Sequence, residues 1–216
     1  MHLGYYTTVI LLIFVFKSTL FCQNFNISKT GTQSFYFKDP QNRNQTSFTS
    51  DAPFENFTGV SSDVWGEISF DPNDVKNTIK GEIFISVNSI QTGIELRDED
   101  LRGTGWLNSE EYPVISFNLE KANEVISLDN NKIRVLMDGY FSCRGKEKVI
   151  TVDAVLTFLA ESELTKKRIS GDLLSVVSNF DINLSDYGIK SVFIPNRVSD
   201  KINVSVNILG TNVNPE

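Results

Sequence analysis

Histidine and cysteine are nearly absent from this chain, which has one His and two Cys among its 216 residues. His2 and Cys22 both lie within the first 22 residues. If those residues are removed, the chain keeps no imidazole and a single thiol, Cys143. A serine or cysteine nucleophile activated by His is then excluded, as is an internal disulfide, and a zinc site is disfavoured, because the residue types they need are missing.

A surplus of basic residues is missing too, since 20 Lys and Arg stand against 27 Asp and Glu and the net charge is −7. Nucleic acids attract proteins with clustered Lys and Arg, and anionic membrane surfaces do the same. No Gly-rich loop of the kind that binds phosphates is present either. The composition therefore argues against a nucleic acid as partner.

Long apolar runs are also lacking. The run near the start, Val9–Phe16, has eight residues and ends at Lys17, whereas a membrane-spanning helix needs about 20. It predicts a secretory signal peptide, residues 1–22, cleaved between Cys22 and Gln23, and hence an exported domain of residues 23–216. An uncleaved anchor and a lipoprotein attached through Cys22 stay open as alternatives.

Alternation of apolar and polar residues is what the sequence has in abundance, and it indicates strands with one buried face. Seven segments show it clearly, and two weaker candidates surround Phe35–Phe37 and Phe48. Strong alternation favours antiparallel sheets, and closure removes their edges. The sequence therefore predicts an all-β fold, a single closed antiparallel β-barrel of about eight strands, with a two-sheet sandwich as the alternative. The seven segments are residues 64–70, 79–87, 115–119, 133–141, 150–158, 174–184 and 202–208.

The charged segment "RDEDLRGTGWLNSEE" interrupts this alternation. Asp98 is suited to cap a short helix near residues 97–103, which Gly103 and Gly105 would end. Its carboxylates suit Ca²⁺, but their spacing does not fit an EF-hand loop, so no metal site is predicted. We expect three apolar side chains of this region to fold onto the barrel mouth: Leu96, Leu101 and Trp106.

The predicted inner face contains no recognisable catalytic set. A pair of carboxylates facing each other across a cleft would leave no signature in the sequence, so that kind of enzyme stays open. The apolar face either packs into a filled barrel or lines a cavity for an apolar ligand. Cys143 shares its parity with Phe141 and Met137, which predicts a buried, unreactive thiol.

The stretch "VNSIQTGIELRDEDLRGTGWLNSEEYPVISF" resembles the signature region of the YceI-like family of exported lipid-binding proteins. "GEISFDP" and "SDYGI" resemble a strand upstream and a strand downstream, and the similarity extends over residues 62–210. Two positions depart from the family pattern, because Asp100 and Arg144 stand where members often have His. The matching residues are Ser89, Thr92–Gly93, Arg97–Asp98, Leu101, Trp106–Leu107, Tyr112–Pro113 and Phe117.

The resemblance implies a lipocalin-like barrel in the periplasm, or secreted, that binds a long isoprenoid lipid such as a polyprenyl or quinone tail. It implies no enzymatic activity, no cofactor besides the lipid and a structural role for Arg97, Asp98, Tyr112 and Pro113. Membrane contact is expected only transiently, during lipid exchange, and a homodimer stays open. A surface interaction or adhesion module with a filled barrel and a carboxylate-dependent enzyme are the alternatives. The predicted lipid-binding residues of the barrel interior are Phe70, Ile85, Trp106, Phe117, Met137, Phe141, Phe158 and Phe180.

Overall fold

The computed structural model describes residues 24–214, and the predicted signal peptide lies outside them. Among these residues, no helix has the length and apolar character needed to cross a membrane. The described strands and α-helices are β1 (Gln33–Tyr36), β2 (Gln45–Asp51), β3 (Asn56–Ser61), β4 (Val64–Phe70), α1 (Val75–Thr78), β5 (Lys80–Ser86), α2 (Glu95–Arg102), β6 (Val114–Asp129), β7 (Lys132–Cys143), β8 (Lys146–Leu159), β9 (Leu173–Asn183) and β10 (Lys201–Thr211).

The strands of residues 24–214 form one antiparallel sheet in the order β1-β4-β5-β6-β7-β8-β9-β10-β2-β3. An additional pairing of Tyr36 with Thr211 joins β1 to β10. Eight strands, β1 and β4–β10, therefore close into a barrel, as the sequence predicts. The β2–β3 hairpin pairs with β10 along Ile202–Asn207 and continues the wall beside β1.

The weak strand candidates are confirmed as β1 and β2, but two strand segments escape the alternation pattern. Strand β3 was not predicted, because Phe57 is the one large apolar side chain on the face that it shares with Gly59 and Ser61. The second half of β6 was also missed. Its buried residues, Leu119, Ala122 and Val125, are three positions apart because bulges shift the register against β7.

Aromatic side chains fill one end of the barrel. The ring of Phe70 stacks on Phe25 with 5.5 Å between centroids and on Phe35 with 5.7 Å, and Phe35 contacts Phe158 edge-on at 6.3 Å. The short helix α1 packs here through buried Val75. These rings form the aromatic plug: Phe25, Phe35, Phe70 and Phe158.

Truncation within the aromatic plug should be costly. We expect Phe70→Ala to lower the free energy of unfolding by about 3–5 kcal/mol, because the fully buried ring leaves a cavity among the other plug residues. Phe54→Ala is the matched control at an exposed position and should change it by less than about 0.5 kcal/mol. Equal losses in urea denaturation would show that Phe70 is not part of a tightly packed core.

Candidate ligand-binding cavity

Beyond the aromatic plug, the barrel contains a cavity of about 550 Å³. This volume lies within the range of about 300–1,000 Å³ that is typical of small-molecule sites. Along β9 its wall runs from Val176 to Ile182, a contour of about 20 Å at a rise of about 3.3 Å per residue. The cavity is thus deep, and most of the side chains that line it are aliphatic or aromatic.

Small residues in the wall explain why this part of the barrel is not filled. Ala154 and Ser178 line the cavity, where larger side chains would take up its volume. Two of its hydroxyl groups already have partners inside the protein. Ser178 Oγ donates to the Asp153 carbonyl at 2.8 Å, and Ser61 Oγ lies 2.6 Å from a second serine hydroxyl, that of Ser89.

Six of the eight predicted lipid-binding residues lie on this wall, and two do not. Phe70 and Phe158 belong to the aromatic plug and do not line the cavity. Alternation indicates which face of a strand points inward but not how far along the barrel a residue lies, so both were placed on the wall in error. The six that line the cavity are Ile85, Trp106, Phe117, Met137, Phe141 and Phe180.

The β2–β3 hairpin supplies wall residues that the sequence analysis missed. Phe48 pairs with Gly59 across the two strands. A Cβ atom on Gly59 would lie 2.2 Å from the Phe48 ring, so the ring can lie over β3 only because that position is glycine. A pairing of an aromatic residue with a glycine could have identified this strand pair, but the pairing can be recognised in the sequence only when the register is known. Phe57 lines the cavity from the same hairpin.

One carboxylate, that of Glu55, connects three segments at the open end of the cavity. Arg97 of α2 donates a hydrogen bond to Glu55, which lies in the β2–β3 turn. Arg197, from the loop before β10, places its Nη2 atom 3.7 Å from Glu55 Oε2. In addition, the Phe54 amide donates to the Asn196 carbonyl at 2.9 Å. Glu55 therefore joins the hairpin, α2 and the β9–β10 loop, and we call this end of the barrel the mouth.

The charged segment forms a short helix at the mouth, close to the predicted range. Its end at Gly103 is confirmed, because the Gly103 amide donates to the carbonyl oxygens of Glu99 and Asp100. The assignment of Asp98 as its cap is wrong, since the helix begins at Glu95 and Asp98 lies within it. The Asp98 carboxylate instead accepts hydrogen bonds from the amide and the hydroxyl of Thr92, at 2.7 and 2.6 Å.

The other motif residues hold the chain around this helix. The Pro113 carbonyl accepts from the Val87 amide at 2.9 Å. The Tyr112 ring lies so close to Gly145 that a Cβ atom there would be 2.4 Å from it. Arg144 donates from Nη2 to the Thr104 carbonyl at 2.9 Å, so the β7–β8 turn is tied to the segment that follows α2. These contacts hold neighbouring backbone segments together, and the structural role of the motif stays a prediction.

Chemically reactive groups are scarce on the cavity wall. Cys143 lines it, but burial raises the pKa of the thiol to about 12, against a smaller opposing effect of Arg144. The acidic side chains on the wall are Glu55 and Asp100, and both lie at the mouth. Among residues 24–214, no three His, Cys, Asp or Glu side chains are grouped so as to hold a metal ion.

The geometry defines a class of protein, a closed antiparallel barrel with a deep apolar cavity that opens at one end. The family is shown by the sequence, because the model of the YceI-like domain matches residues 36–209. The chain therefore belongs to the YceI-like family. A search of curated proteins found no match.

Solved structures of similar fold come from several bacteria. Burkholderia cenocepacia BcnA is 17% identical with a TM-score of 0.61, over 78% of this chain and 97% of that one. A polyisoprenoid-binding domain from Saccharophagus degradans is 16% identical with a TM-score of 0.55, over 85% and 99%. A mutant of the Campylobacter jejuni YceI protein is 19% identical with a TM-score of 0.52, over 100% and 94%. At these identities the likeness establishes the fold.

A structural role for Asp98 can be tested by comparing three substitutions. We expect Asp98→Ala to lower the free energy of unfolding by about 1–2 kcal/mol, because it leaves the half-buried Thr92 donors without an acceptor. Asp98→Asn should cost less, because the amide oxygen can still accept. Asp100→Ala, at an exposed neighbouring position, is the control and should stay within about 0.5 kcal/mol. A loss with Asn as large as that with Ala would mean that the charge of Asp98 matters.

Cys143 should react very slowly while the protein is folded. At pH 8 a thiol with a pKa of about 12 has about a thousandfold less thiolate than one at the ordinary 9.0, and the thiolate is the nucleophile. We therefore expect iodoacetamide to label Cys143 about a thousandfold more slowly in native than in denatured protein. Peptide mass spectrometry distinguishes it from Cys22, and comparable labelling rates in both states would contradict its burial.

Proposed function

We propose that this protein binds a long, apolar, isoprenoid-type lipid inside its barrel and acts as a carrier or reservoir for it outside the cytoplasm. The ligand class is a polyprenyl chain or a quinone with a polyprenyl tail, and binding involves no chemical change of the ligand. The periplasm, reached through the predicted signal peptide, is the proposed location.

The cavity is the observation that carries this proposal. It is deep, closed at one end by the aromatic plug and open at the mouth, which suits a linear molecule that enters with its tail first. Each buried CH₂ group contributes about 0.8 kcal/mol, so a tail of several isoprene units is held without strong polar contacts. The fold is shared with a domain described as polyisoprenoid-binding, which supports the same class of ligand.

The charges at the mouth favour an uncharged head group. Four charged side chains line this region, the acidic Glu55 and Asp100 and the basic Arg97 and Arg197, and their formal charges sum to zero. Glu55 already neutralises part of the positive charge through its two arginine contacts. A quinone or an alcohol needs hydrogen bonds but no counter-charge, and it therefore suits this environment.

The two alternatives from the sequence receive less support. A filled barrel that serves only as an interaction module does not account for an apolar cavity of about 550 Å³. An enzyme that uses carboxylates needs two of them facing the reacting bond. Here the acidic side chains of the wall lie at the mouth, and one of them, Glu55, is engaged by two arginines, so the deep cavity offers neither an acid nor a base.

Native mass spectrometry of the protein purified from the exported fraction tests the proposal directly. We expect a stoichiometric adduct that dissociates under denaturing conditions as a long-chain isoprenoid lipid. If the protein arrives without a ligand, prenyl quinones are added and binding is measured again. A protein that carries no adduct and binds none of them would refute the proposal.

Ala154→Trp should block lipid binding at mid-depth while the barrel still folds. Ala154 is buried on the cavity wall, so an indole ring at this position fills the path of the tail. Ala160→Trp, at an exposed position just after β8, is the matched control and should bind lipid normally. Circular dichroism confirms the fold of both variants, and full lipid occupancy in folded Ala154→Trp would count against a tail in this cavity.

A further inference from the structure

Large apolar side chains are exposed around the mouth on three separate segments. Each would normally be expected inside a protein, and contiguous exposed apolar surface usually marks an interaction site. We call this set the mouth rim. Its members, with their exposed fractions, are Phe54 (76%) in the β2–β3 turn, Ile94 (50%) and Leu96 (74%) at the start of α2, and Val192 (91%) and Phe193 (42%) in the β9–β10 loop.

The mouth rim is continuous with the cavity. Ile94, Leu96 and Phe193 line the cavity and are exposed at the same time. The hydrogen bond from the Phe54 amide to Asn196 and the contacts of Glu55 with two arginines hold the three segments next to one another. Apolar side chains therefore lead from solvent into the barrel interior.

The charge at the mouth fits an uncharged, apolar surface better than a charged one. Glu55 is paired with Arg97 and Arg197, and with Asp100 the four charged side chains at the mouth have formal charges that sum to zero. The net charge of the chain is −7, which opposes adsorption to an anionic surface by charge alone. Trp106 is half-buried at the mouth, and Trp is a side chain that suits a boundary between water and hydrocarbon.

We propose that the mouth rim docks onto the surface of a lipid bilayer, with its apolar side chains inserted among the lipid chains, so that the cavity opens directly into the membrane. This inference rests on the proposed function. A ligand with a long apolar tail lies in a bilayer before it is bound, and it leaves without crossing water only if the mouth itself contacts the hydrocarbon.

A second copy of the chain is the competing occupant of the mouth rim. Two mouths facing each other would bury the same side chains, but they would also close both cavities. No ligand can enter such a face-to-face dimer, so the continuity of the mouth rim with the cavity would serve no function in it. We therefore commit to the bilayer and treat self-association as an outcome of the test.

Vesicle flotation tests the docking with the protein purified after export, its N-terminus checked by intact mass. The probe is phosphatidylcholine vesicles that contain no prenyl lipid. We expect the wild-type protein to float with them, and Leu96→Asp or Phe54→Asp to lower the partition coefficient about tenfold, because each removes a large inserted side chain. Adding anionic phosphatidylglycerol should not strengthen binding.

Leu164→Asp is the matched control, since Leu164 is equally exposed, at 76%, and lies in the loop that follows β8 at the plug end of the barrel, away from the mouth. It should bind vesicles as the wild type does. Docking by the mouth rim is overturned if the wild type stays unbound, if the control loses binding as strongly as the rim variants, or if binding requires anionic lipid. It is overturned as well if light scattering shows a dimer that Leu96→Asp dissociates while vesicles bind neither protein.

A separate measurement distinguishes failure of the proposed function from failure of the docking. Ligand uptake by the rim variants is measured with a prenyl quinone presented in detergent micelles, where no bilayer is needed. We expect Phe54→Asp, at a rim position that does not line the cavity, to bind it as tightly as the wild type does. Loss of vesicle binding with uptake intact supports a docking role for the rim, whereas uptake lost in the wild type as well refutes the lipid-binding function itself.

Discussion

Strand β10 pairs with two different strands along one edge, and the shape of the molecule depends on this arrangement. Thr211 near its end faces Tyr36 of β1, whereas Ile202–Asn207 face β2. The first contact closes the barrel at the end that the aromatic plug fills. Along the rest of β10, two strands, β2 and β3, take the place of β1. Because barrel diameter grows with the number of strands, the barrel has room for a cavity at the end away from the aromatic plug. The turn of the β2–β3 hairpin brings Glu55 to the mouth at that same end.

The sequence specifies the barrel well because each strand has to bury one face, and that requirement appears as alternation. It specifies the cavity less well, because the unfilled volume inside the barrel depends on which residues face one another across the interior. Ala154 is indistinguishable in the sequence from other residues of an inward face, yet in the structure its small side chain leaves space in the cavity. Phe70 and Phe158 read in the same way as Phe117 and become part of the plug. Depth along the barrel follows from register, and alternation does not distinguish registers that differ by two residues, because both keep the same face inward.

The charged segment illustrates a different limit. Its helix and its end at Gly103 follow from local residue preferences, and these were predictable. The partner of Arg97 was not, because Glu55 lies 42 residues earlier in the chain, on a hairpin whose second strand has a weak pattern. The role of Asp98 was misassigned for a related reason. A cap is normally sought just before the first helical residue, whereas Asp98 reaches back from inside the helix to Thr92.

The β2–β3 hairpin also gives the wall two regions of different stiffness. Strand β3 is hydrogen-bonded along its length to β2, but on its other side, among the described residues, it has one backbone bridge, between Val60 and Gln91, and the contact between the Ser61 and Ser89 hydroxyls. Segments with few hydrogen bonds and few buried neighbours open with a smaller free energy than the core of a domain. Strand β3 is therefore the part of the wall that opens most easily, whereas β2 is paired with β10 along Ile202–Asn207 and β6–β9 are paired on both sides. Because Glu55 at the turn of the hairpin contacts Arg97 and Arg197, widening the barrel at this edge has to begin with the loss of that ion pair.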